Sequence, residues 1–126
     1  GETIVEPVET GTNSAAVDSP DVNVLAHPGL ITESDAGVAA TKGVFLELSA
    51  RRGHSLTNGH VAKVALSKGA LLLLNSDTHQ PDDLLTDEFA KKTILGAGLT
   101  DEHLYQVTTA NPQKLLAELG YSAPRP

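Results

Sequence analysis

Apolar and polar positions change their rhythm along the chain, and the changes mark out alternating strands and helices. The first 20 residues mix turn formers with charge: 3–5 suit a short strand stopped by Pro7, 11–13 a turn, and 14–17 a short helix. From residue 21 the pattern is regular. Residues 22–27 (VNVLAH) predict a strand, halted by Pro28-Gly29. Thr32, followed three residues later by Asp35, predicts a capped helix running to about Lys42, with Gly43 at its C-terminal cap. Residues 44–49 (VFLELS) predict a second strand, and Thr57 is placed to cap a helix that ends at Lys68. Residues 70–75 (ALLLLN) form a third strand with no polar alternation, the pattern of a strand buried on both faces of a parallel sheet.

Beyond a loop over 76–85, apolar residues at helical spacing predict a helix over 86–97, with Phe89, Ala90, Thr93, Ile94 and Ala97 on one face. Thr100 caps a short helix over 101–106. Asn111-Pro112 reads as the start of a last helix, with Leu115, Leu116 and Leu119 turned inward and Gly120 ending it. A frayed tail is expected over 121–126. The expected fold is α/β, built from parallel βα units over 21–120 behind an irregular lead-in over 1–20, all within one domain.

Composition narrows the possible functions. The 126 residues carry 9 Lys plus Arg against 16 Asp plus Glu, a net charge of −7. That balance argues against strong binding to duplex nucleic acid and against a polybasic membrane contact. The longest apolar run, 69–74, is the size of a strand rather than of a membrane span. Cysteine is absent, which removes disulfides, thiol nucleophiles and Cys–zinc sites and fits a reducing, cytoplasmic setting. Methionine is absent too, as expected of a piece of a longer chain, and aromatics are only 3%, so the core must be aliphatic.

Titratable residues gather just past the strand ends, where α/β barrels carry their chemistry. His27 follows the first strand, Arg51, Arg52 and His54 the second, and Asp77 and His79 the third. Neutral imidazoles and a carboxylate are natural ligands for Zn, Mn or Fe. The plainer alternatives are a turn-forming Asp77, an exposed His79 and a packed His27 whose backbone Pro28 holds extended. Arg51 and Arg52, with His54 close by, concentrate positive charge in the loop after the second strand. They suit a bidentate grip on phosphate, or else a solvated, ion-paired loop. His54 is open to three roles: ligand, proton donor or plain surface residue. His60 and His103 fall within predicted helices and read as structural or exposed. Glu47 alternates with Leu46 and Leu48, so its carboxylate points to a sheet edge or into a barrel interior, where it would support ligands or face substrate.

Four stretches, LAHPG at 25–29, GVFLELSARRGHSLTNGH at 43–60, LLLLNSDTH at 71–79 and TTANPQKLL at 108–116, resemble the later motifs of the PHP (polymerase and histidinol phosphatase) family in order and spacing. The resemblance covers roughly 22–116. It implies a distorted (β/α)7 barrel with two or three divalent ions at its C-terminal face, and a phosphoesterase in which metal-activated water attacks a phosphoester. It makes His27, Asp77 and His79 metal ligands, with Asp77 also positioning the water. Arg51, Arg52 and His54 fall where some members contact substrate phosphate, with His54 a tentative catalytic group. The implied substrate is a phosphorylated small molecule or nucleotide.

The family's opening His-x-His motif, its second His motif and its early glutamate have no counterpart here, since no histidine precedes His27. A barrel of this type needs about 250 residues. The resemblance therefore implies the C-terminal half of one, weak or inactive alone, with an open sheet edge that the missing N-terminal half or a second copy would cover. Two other readings are a non-catalytic scaffold subunit with a PHP-like barrel and a different metallohydrolase barrel of amidohydrolase or TatD-like type.

Overall fold

The computed structural model describes residues 1–121; the expected frayed tail lies, apart from Tyr121, outside the described residues. Its centre is a three-stranded parallel sheet in the order β1 (Val24–Leu25), β2 (Phe45–Ser49), β3 (Leu72–Asn75). Leu25 is in register with Leu46, and Leu46 with Leu72. Each strand follows the last through a helix, α2 (Glu33–Lys42) and then α3 (Asn58–Lys68). The two helices pack on each other and on β2, as parallel strands require. A short α1 (Thr12–Asp18) packs on α2.

The sequence places these elements for local reasons. Thr32 Oγ1 accepts the Asp35 amide and starts α2, and Gly43 closes it at φ +75°, in the left-handed region. β2 is buried along its whole length. Leu46 and Leu48, alternate residues on one face, join Leu25, Leu72, Val61 and Ile94 in a single aliphatic core. No helix among the described residues is long and apolar enough to cross a membrane.

Several local expectations are corrected. Residues 3–5 form no strand, with bends at 4–6, and β1 keeps two of its six expected residues, its C-terminal end cut short by the turn at His27-Pro28. Thr57 makes no side-chain cap; a 3-10 turn, His54–Thr57, leads into α3 instead. α4 (Asp87–Gly96) matches its prediction closely. The expected break at Asn111-Pro112 does not occur. α5 (Asp101–Tyr105) continues through a widened π turn, Gln106–Ala110, into α6 (Asn111–Glu118). Pro112 cannot donate to the carbonyl one turn back, and the wider turn just before it accommodates the proline inside a helix. Asn111 is thus freed from capping, and its Nδ2 donates to the Leu72 carbonyl on β3 at 2.9 Å. Of the three leucines expected to turn inward, Leu115 is half-buried, whereas Leu116 and Leu119 are 39% and 47% exposed.

Candidate metal centre

Because the strands run parallel, the loops after β1, β2 and β3 meet at one end of the sheet. They bring His27, His54 and Asp77 together, with one potential ligand atom from each lying within 4.8 Å of the others. His79 stands beside this group rather than within it. Its side chain is 56% exposed, and its Nδ1–H donates to the Asp77 carbonyl at 2.6 Å. Arg52 is exposed.

The backbone is bent to make this cluster. His27 and Asp77 are the two non-glycine residues with positive φ among those described, at +30° and +48°. His27 is therefore not held extended before Pro28. Left-handed backbone is uncommon outside glycine, though His and Asp tolerate it better than most. Such strain persists only where neighbours enforce it. For His27 the enforcing neighbour is Glu47, whose Oε1 accepts the His27 amide at 3.0 Å while Oε2 accepts Asn75 Nδ2 at 3.0 Å. Buried on β2, Glu47 thereby ties together the ends of all three strands. Gly29 completes the turn because the N-terminal segment crosses it so closely that any Cβ would lie 1.9 Å from the Glu2 carbonyl oxygen. Asn13 holds that segment down, accepting from the Glu2 amide at 2.8 Å and donating to the Pro28 carbonyl at 2.7 Å.

The second loop is anchored with similar economy. Asn58 accepts from the Ser49 amide at 3.0 Å and donates to the Ser49 carbonyl at 2.8 Å, extending the strand's pairing by one side chain. His54 is thereby buried at the bottom of the cluster. Its ring stacks on His27, with centroids 4.4 Å apart.

The electrostatics suit a cation. Arg51 Nη1 donates to Asp77 Oδ2 at 2.9 Å, and this bond holds the Asp77 carboxyl below its ordinary value against the opposing effect of burial. Burial lowers the His54 pKa, and His27 and Arg51 push it the same way, so the imidazole is neutral at pH 7. His27 Nδ1 is buried with no hydrogen-bond partner. A buried ring nitrogen beside a second imidazole and a carboxylate is the donor set a borderline divalent ion takes. The residues present fit such an ion.

Sequence reasoning gathered His27, Asp77 and their loop neighbours from strand ends. It left His54 open between ligand, proton donor and surface residue, since loop conformation decides that, and it missed Thr3, Asn13 and Asn58, whose partners are distant in sequence or set by turn geometry. His60 and His103 are structural, as expected: His60 Nε2–H donates to the Ile31 carbonyl at 2.7 Å, and His103 Nδ1 accepts the Thr100 amide at 3.1 Å.

The chain is 49% identical over 119 residues to an uncharacterized protein of Methanocaldococcus jannaschii, covering 94% of this chain and 55% of that one. It is 27% identical over 114 residues to probable phosphatases of Thermoanaerobacter sp. (strain X514) and Thermoanaerobacter pseudethanolicus, covering 82% of this chain and 46% of each relative. The chain thus spans about half the length of the curated relatives it matches. No protein-family model and no solved structure matches it.

Proposed function

We propose that this chain is part of a metal-dependent phosphoesterase of PHP type. The observation that carries the reading is the His27–His54–Asp77 group itself, in which His27 also keeps a buried Nδ1 without a hydrogen-bond partner. The distant relatives named as phosphatases and the ordered motifs of the sequence support the same reading.

His27, His54 and Asp77 would hold a divalent ion such as Zn, Mn or Fe, with His79 at the mouth as a further ligand. Bound there, the ion supplies Lewis acidity and lowers the pKa of water, the chemistry phosphoester hydrolysis needs. Asp77 fixes the position of the attacking group. Arg51 Nη1 lies against both His54 Nε2 and Asp77 Oδ2; an ion bound there would displace it, freeing its donors for a substrate phosphate, and Arg52 adds positive charge to the approach. Glu47 keeps His27 in place and takes no direct part.

The three strands then form about half of a β/α barrel. The remaining strands of a longer chain, or a second copy, supply further ligands and cover the sheet edges. A phosphorylated small molecule or nucleotide is the substrate class, in a cytoplasmic setting that the cysteine-free composition supports.

The test is zinc binding by calorimetry to the chain and to Asp77→Ala. Binding near one equivalent, lost in the variant, is expected. Equal binding by both, or by neither, would overturn the site.

A further inference from the structure

Thr3 lies 51 residues before His54, in an irregular segment with no strand or helix of its own, yet its Oγ1 sits 2.6 Å from His54 Nδ1 with both residues buried. A hydroxyl can donate or accept, so this contact alone leaves the tautomer open. The other ring nitrogen resolves it. Arg51 Nη1 approaches His54 Nε2 at 3.4 Å. A guanidinium is donor only, so Nε2 must present its lone pair. The single ring proton of the neutral imidazole then sits on Nδ1 and is donated to Thr3 Oγ1. Asp77 Oδ2 lies 3.7 Å from the same Nε2. A lone pair and a carboxylate oxygen that close repel each other unless a cation or donor lies between them, which is the place Arg51 Nη1 takes.

We infer that Thr3 is a positioning residue: by accepting the Nδ1 proton of His54 it fixes the tautomer that presents the Nε2 lone pair to Arg51 and Asp77. This rests on the metal-site reading above for its purpose, but not for its geometry. It gives the N-terminal segment a role in the centre beyond packing. Asn13 and Gly29, which pin that segment across the loop after β1, set how far Thr3 reaches. Supporting hydrogen bonds of this kind orient imidazole ligands and raise their basicity.

The experiment compares wild type, Thr3→Ser and Thr3→Val by two readouts. The first is the nitrogen spectrum of the His54 ring, recorded by NMR without added metal. The second is zinc affinity by calorimetry. Wild type and Thr3→Ser are expected to carry the proton on Nδ1 and to bind zinc alike. Thr3→Val is expected to lose the fixed tautomer and about 10- to 100-fold in affinity. A wild-type His54 protonated on Nε2 overturns the inference with no variant needed. So does a folded Thr3→Val with unchanged tautomer. Wild type that binds no zinc, yet shows an Nδ1 proton that depends on Thr3, sinks the metal site and leaves the tautomer lock standing.

Discussion

His27 and His54 lie face to face, their ring planes 15° from parallel and their centroids 4.4 Å apart. The stack joins the loops after β1 and β2, so packing and ligation are separable at position 54. His54→Phe keeps an aromatic face for His27 and deletes both ring nitrogens. Its stability is expected to fall by about 1–3 kcal/mol, because the buried Thr3 hydroxyl loses its partner. Zinc affinity is expected to fall by more than the about 10- to 100-fold that losing a supporting hydrogen bond costs. Calorimetry beside a thermal melt checks both, and a folded variant that keeps its zinc affinity refutes His54 as a ligand.

Asn58 carries the loop that buries His54. Asn58→Ala leaves the Ser49 amide and carbonyl buried without these partners, at about 1–3 kcal/mol for each group. The loss should appear in urea unfolding. Hydrogen exchange at Ser49 should quicken well beyond that of Leu46 in the middle of the same strand. Uniform change along β2 would mean that Asn58 is merely packed.

The contrast between β2 and these anchors shows what could be read from sequence. The run VFLELS and the unbroken ALLLLN state their strands outright, and Thr32 and Gly43 state the caps of α2. Those features fix the parallel sheet and most helix boundaries. Local signals failed where a tertiary partner outweighed them. Asn111-Pro112 looks like a helix start, but Asn111 is claimed by the Leu72 carbonyl and the helix runs through. Pro28 argues for an extended His27, but Glu47 takes the His27 amide and the backbone turns left-handed. At the site, residue types at strand ends were visible, whereas the support from Thr3 and Asn13 depends on how a turn-rich segment folds back.

Away from the site, Lys42 pairs with the Asp18 carboxylate and also donates to the Asp18 carbonyl at 3.1 Å, fastening α1 to α2. The hydrogen bond, then the charge, holds the Asp18 carboxyl below the ordinary aspartate value. A folded pKa below the unfolded one means that the pair's contribution is full above the unfolded value and fades as pH falls through the folded one. Both side chains are well exposed, so the energy is small and the titration is the readout. By carbon NMR, Asp18 should titrate below its exposed neighbours, and Lys42→Met should raise its midpoint. No movement in that variant would show the pair to be without effect.

Glu47 offers the sharpest separation of shape from charge. Its two oxygens accept from the His27 amide and from Asn75 Nδ2. In Glu47→Gln, the new amide can accept from His27 through its oxygen and donate to Asn75 through its nitrogen, provided the Asn75 amide turns over. Every partner is then satisfied again, so the fold and the left-handed His27 should survive. Glu47→Leu fills the same space and satisfies neither. It strands the His27 amide, at about 1–3 kcal/mol, and removes the anchor that holds His27 at φ +30°. Zinc affinity should therefore fall sharply in Glu47→Leu and little in Glu47→Gln. If the two variants lose affinity equally, the negative charge of Glu47 matters rather than its bracing of the three strand ends.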